Sequence, residues 1–190
     1  METLLALGIG IGLSSVAGVR AFVPLALAAL FTGPGLFELP APFDVLSDGL
    51  VIAALLALAF VESGLDKIPA LDRVFNYTMV PVRSFAGAVL FAAALDLGAG
   101  SLPWLAAGGA IAGVVAVVKV LVRPPARAAS AGVSASFLSG CEDVVAVVGG
   151  AVGLFVPYLP LLPVAFLLFF FRRIRKRRGR KYGGLRILGD

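Results

Sequence analysis

The chain has 190 residues, of which 60% are hydrophobic and only 14% charged, with a formal net charge of +5 and a mean hydropathy of +1.03. A water-soluble domain carries about 25% charged residues, so the composition excludes an ordinary globular enzyme and points to an integral membrane protein. A single cysteine, Cys141, excludes an internal disulfide, and the lack of histidine excludes His-ligated haem, a His zinc site and a Ser–His triad.

Apolar runs bounded by prolines and charges mark six candidate helices, at about 3–31, 48–66, 82–99, 103–122, 126–149 and 157–173. The first opens METLLALGIG with no basic residue ahead of it, so a cleaved signal peptide is not expected. This run is too long for a simple span. Its interior, GLSSVAGVRAFVPL, holds Gly18 and Pro24, which predict two half-helices. Arg20 falls at mid-depth, where a cation costs about 2.5–3.5 kcal/mol. It should face inward and meet a carboxylate, with Glu62, Glu142 and Asp143 as the candidates.

The second run, LVIAALLALA, ends in FVESGLDKIP. Glu62 and Asp66 are four residues apart and share one helix face. Such a pair suits proton coupling, and oxygen ligands on opposed helices equally suit a hard cation. The plainer reading of Asp66, Lys67 and Asp72 is a solvated interfacial cluster before the stop at Pro69. The fifth run, PARAASAGVSASFLSG, is rich in residues that let helices approach closely. Ser14, Ser15, Ser134, Ser136 and Ser139 offer hydroxyls to a shared cavity, or simply bond backbone carbonyls. Cys141 precedes Glu142 and Asp143, but with no histidine to activate it catalysis there is not expected. The sixth run leads into the basic tail FRRIRKRRGRKYGGLR.

The charges argue orientation. Lys67, Arg73 and Arg83 follow the second run, Lys119, Arg123 and Arg127 surround the fourth connection, and the tail is basic. The opposite loops carry Glu38, Asp44, Asp48 and Asp96. The positive-inside rule then places both termini in the cytoplasm, with every Lys and Arg but Arg20 near that side. The tail reads as a topology anchor on anionic headgroups; lacking interleaved aromatics, it is not read as a nucleic-acid site.

GIGIGLSSVAGVRAFVP (8–24) aligns with GAIAGVVAVVKVLVRPP (109–125) through Gly8/Gly109, Gly12/Gly113 and Pro24/Pro125. FVESGLD (60–66) aligns with FLSGCED (137–143). The expected fold is therefore all-α, an integral membrane bundle of six helices built as a 3+3 inverted repeat, the plan of many secondary transporters. Pseudo-repeats of about 3–99 and 103–173 would form one transmembrane domain over 1–173, with a basic cytoplasmic tail at 174–190.

The string Glu-x-x-x-Asp-Lys-Ile-Pro from Glu62 to Pro69, followed by Asp72 and by Arg83 ahead of SFAGAVLFAAAL, resembles a bacterial membrane family designated domain of unknown function 4126. The resemblance covers residues from about 5 to 170 and implies a multi-pass protein of the bacterial plasma (inner) membrane, with no activity attached. A looser likeness links Glu-Ser-Gly-Leu-Asp-Lys-Ile to inverted-repeat cation transporters that carry Glu-x-Gly-Asp-Lys/Arg-Thr/Ser.

The leading expectation is a small secondary transporter or channel for an ion or small polar solute. Its charged mid-membrane pathway would comprise Arg20, Glu62, Asp66, Glu142 and Asp143, with Ser14, Ser15, Ser139 and Lys67 secondary. Glu62, Asp66, Glu142 and Asp143 are also the metal candidates. One alternative is a lipid-handling translocase or enzyme acting on a phosphorylated lipid, held by Arg20 with Arg83 or Arg123. The other is a non-catalytic assembly factor. No cofactor is expected; the expected partners are membrane lipids and the transported species, and a homodimer stays open.

Overall fold

A computed structural model describes residues 2–32, 39, 41–68, 71–95, 102–124 and 134–183. Among the described residues there are seven α-helices and no strand: α1 (Glu2–Val19), α2 (Phe22–Thr32), α3 (Gly49–Leu65), α4 (Asp72–Ala94), α5 (Leu102–Val122), α6 (Ala135–Gly153) and α7 (Leu161–Gly183). A 3-10 turn, Phe43–Ser47, precedes α3. Asp48 caps α3 by accepting from Leu50 N at 2.8 Å, and Ser134 caps α6 by accepting from Phe137 N at 3.1 Å. These caps satisfy amides that the first turn leaves without partners. Among the described residues three helices are long and apolar enough to cross a membrane: Val74–Ala94 in α4, Leu102–Val122 in α5 and Ser136–Gly153 in α6.

The long first run breaks as Gly18 and Pro24 suggest, but at Arg20 and Ala21, and it reverses direction there. Val16 of α1 lies against Gly149 and Leu13 against Gly153, so α1 and α6 are antiparallel. Pro24 and Leu27 of α2 lie against Gly150, and Phe31 meets Phe155 edge-on at 5.6 Å. Hence α2 runs with α6 and back past α1. The pieces are two antiparallel helices, where the sequence suggested two halves of one span.

This reversal changes the rest of the plan. Ser14 Oγ donates to Gly87 O at 2.8 Å and Gly10 faces Phe91, so α1 and α4 are antiparallel. Phe91 in turn faces Gly108 and Ser84 faces Gly113, which makes α4 and α5 antiparallel. It follows that α1 and α5 point the same way. The segments 8–24 and 109–125 therefore do not oppose each other as the proposed inverted repeat required. Direction alternates through seven helices in place of six, and the start of α1 and the end of α7 lie at opposite ends of the bundle. For the described residues this departs from the expectation of both termini on one side.

Boundaries also shift. Expected from 82, α4 starts ten residues earlier, because Pro81 is accommodated inside it. Expected from 126, the fifth segment is helical from Ala135; Arg127 lies outside the described residues, as do Glu38 and Asp96. The segment expected from 157 begins as a helix at Leu161 and continues to Gly183, carrying the start of the basic tail with it. One apolar cluster fills the space among α1, α2, α3 and α4 around Leu13, Ala17, Leu25, Leu55 and Leu90. A second joins α1, α6 and α7 around Val16, Val19, Leu138, Leu167 and Phe171.

Candidate functional site

The turn between α1 and α2, the C-terminal ends of α3 and α5 and the N-terminal half of α6 meet at one end of the bundle, and nearly all the buried charge is there. Arg20 follows directly on α1, with its amide still donating to Val16 O at 3.0 Å. Its side chain is fully buried. Nη2 reaches Asp143 Oδ1 at 2.9 Å and Asp66 Oδ2 at 3.0 Å, with Glu142 Oε2 at 3.7 Å. The same nitrogen donates to Ser139 Oγ at 2.8 Å, and Nη1 donates to the backbone carbonyl of Glu62 at 3.2 Å. Arg20 therefore ties α3 to α6.

Glu62 has a different task. Its carboxylate accepts from Ala21 N at 3.0 Å and Phe22 N at 3.2 Å, the amides that open α2. A helix N-terminus has unpaired N–H groups and a partial positive charge, so a carboxylate is its natural counterpart. Arg83 Nη2, from α4, completes the arrangement at 3.3 Å from Glu62 Oε1.

The plainer reading placed Asp66 in a solvated cluster; instead it has no exposed surface. Arg123 Nη1 approaches its Oδ2 at 2.8 Å, Arg20 lies at 3.0 Å, and Asn76 Nδ2 donates to Oδ1 at 2.6 Å. Asn76 reaches Asp66 from the part of α4 that precedes the expected start, and Arg123 from the end of α5. Glu142, also fully buried, accepts an ion pair from Lys119 Nζ at 2.6 Å and from Arg123 Nη1 at 2.8 Å. Lys119 Nζ also donates to Val19 O at 2.9 Å. Asp143 faces the rim: it accepts from Ser63 Oγ at 2.9 Å and pairs with Lys67 Nζ at 2.9 Å, the two side chains being 26% and 43% exposed.

Glu62 with Asp66 and Glu142 with Asp143 thus converge near one end of the bundle. Four carboxylates face five cations: Arg20, Lys67, Arg83, Lys119 and Arg123. Each proposed metal ligand already has a protein cation beside it, and among the described residues no group of three or more potential metal ligands gathers. Ser14 and Ser15 donate to the backbone carbonyls of Gly87 and Gly12 and do not join the network, whereas Ser139 does. Ser134 caps α6 and is exposed, as is Ser136.

Lys119, Arg123, Arg83 and Asn76 are the members that the sequence-based pathway omitted. Lys119 and Arg123 are spaced four apart, the same one-face spacing that singled out Glu62 and Asp66. Read as topology charges, they passed as anchors. Arg20 Nε and Arg83 Nε are buried without a hydrogen-bond partner.

A family model described as a domain of unknown function, DUF4126, matches residues 7–177, and the chain belongs to that family. Comparison with curated proteins and with solved structures found no match.

Proposed function

We propose that this member of the DUF4126 family is a membrane carrier for an ion or small polar solute, with the buried charge network as its working site. One observation carries the reading. Arg20, Arg83, Lys119, Glu62, Asp66 and Glu142 have almost no exposed surface, yet Arg20, Asp66, Glu142 and Lys119 connect through ion pairs to the partly exposed Lys67–Asp143 pair. The Glu62–Arg83 pair joins them by hydrogen bonds through Asn76. Burying ions costs several kcal/mol each, and a well-packed apolar substitute is often as stable. Ionisable groups inside a membrane bundle mark pathways for ions or solutes. A phosphorylated-lipid site on Arg20 with Arg83 or Arg123 has less support, because carboxylates already hold these groups.

Membrane embedding is supported by the apolar exterior, where Leu50 and Phe60 are each 81% exposed; patches of that kind are unusual on soluble monomers. With the basic end toward the cytoplasm, Arg20 joins Lys67, Arg123 and the α7 extension on the inner side, so among the described residues Arg20 is no longer an exception to the positive-inside rule. The reversal at Arg20 then sets the start of α1 outside. In a Cys141→Ser background, Thr3→Cys and Asp44→Cys should react with an impermeant maleimide on intact cells. Lys176→Cys should react only after lysis. Protection of Thr3→Cys in intact cells would contradict the seven-helix orientation.

Flux measurement tests the function. Proteoliposomes holding a pH-sensitive dye receive gradients of sodium, potassium, magnesium, calcium, chloride or phosphate in turn. At least one gradient should dissipate faster than in empty vesicles or drive a pH change. Asp143→Asn, at the rim, should slow that flux about tenfold, the size expected when one mutation removes about 1.4 kcal/mol of barrier lowering. No flux with any of the six ions would overturn the carrier reading for that set.

A further inference from the structure

An apolar groove of about 660 Å³ lies between α6 and α7, lined in part by Phe137, Gly140, Cys141, Val144, Phe166 and Phe170. It is on the outside of the bundle, with Val144 and Phe166 exposed. Cavities of roughly 300–1,000 Å³ suit small ligands, but this one presents no polar group to orient a polar molecule. Gly140 borders open space: a Cβ there would meet nothing within 4 Å. Because α6 and α7 are antiparallel, the groove runs from Val144 and Phe166 up to Phe137 and Phe170.

The chain continues from its upper end into exposed Arg172, Arg173, Arg175 and Lys176 on the same helix. Phe166, Phe170 and Arg173 follow one another at spacings of four and three, so they form one stripe of α7. An apolar slot followed along the same helix stripe by an exposed arginine has two chemistries in series. Acyl chains match the first, and an anionic phosphate matches the second.

We infer that this groove is a binding site for one anionic phospholipid, with an acyl chain between α6 and α7 and the headgroup phosphate on Arg173. The inference rests on the bundle lying in a membrane, and it concerns a face of α6 other than the one carrying Glu142.

Native mass spectrometry tests it without any flux assay, so its failure is separate from failure of the carrier reading. Protein in detergent is exchanged against equimolar phosphatidylglycerol and phosphatidylcholine, and the retained lipid is counted. The wild type should keep one phosphatidylglycerol in at least tenfold preference. Gly140→Leu fills the slot and should reduce retention about tenfold at unchanged melting temperature; should that variant misfold, Val144→Trp makes the same test from an exposed position. Arg173→Gln should keep a lipid but lose the preference for phosphatidylglycerol. Equal retention of both lipids by the wild type, or undiminished retention in the groove-filling variant, would overturn the site and leave annular lipid only.

Discussion

Arg20→Ala is expected to cost about 3–5 kcal/mol of stability, the range for breaking a buried ion pair by removing one partner. Arg20 is the tie between α3 and α6, touching Asp66, Asp143, Ser139 and the Glu62 carbonyl. Without it, Asp66 keeps Arg123, and Asp143 keeps Lys67 at the rim. The loss therefore falls on geometry at the turn as well as on charge. Arg20→Lys retains the charge but not the fork that reaches two carboxylates and a carbonyl together, so it should recover only part of the loss. Unfolding in detergent, followed by the tryptophan or by heat-induced aggregation, reads the difference. An Arg20→Ala protein as stable as wild type would show that the carboxylates at this turn need no central cation.

The second large effect is at Glu62. Glu62→Ala removes the acceptor for the opening amides of α2 and the partner of buried Arg83. Losing a helix cap costs about 0.5–2 kcal/mol, and an uncompensated buried charge about 3–5 kcal/mol. The combined result should be a protein that extracts poorly or melts well below wild type. Glu62→Gln keeps an acceptor for the amides while losing the charge opposite Arg83, so it should lie between the two. If Glu62→Ala and Glu62→Gln melted together, the amide contacts would carry no weight and only the charge would matter.

Part of this arrangement was legible in the sequence. Composition and apolar runs announced a helical bundle, and Arg20 stood out because a lone cation in an apolar run must find an inward partner. Glu62, Glu142 and Asp143 were visible for the same reason. The direction of α2 was not legible, since hydropathy is blind to whether a chain continues or turns back after Arg20. The alignment of 8–24 with 109–125 failed for a related reason: small apolar residues recur wherever helices pack closely, as Gly18 does against Ala112 and Val115. Asp66 looked solvated because it sits next to Lys67 and a proline stop, and its burial depends on Asn76 and Arg123, 10 and 57 residues away. Lys119 was hidden by its position near a helix end, where a basic residue ordinarily marks the cytoplasmic face.

A structural lock and a working site make opposite predictions for one double variant. Lys119→Met with Glu142→Gln removes a buried ion pair of 2.6 Å without leaving either charge alone, and Arg123, which also pairs with Glu142, keeps Asp66. Such paired removal is often neutral or stabilising, so the protein should fold and melt close to wild type. Flux in proteoliposomes, measured for the gradient that the wild type dissipates, is then the decisive reading. The carrier account predicts a folded protein whose flux falls to the level of empty vesicles. A folded double variant that carries the ion at the wild-type rate would contradict it, and the network would be a device for holding helices together.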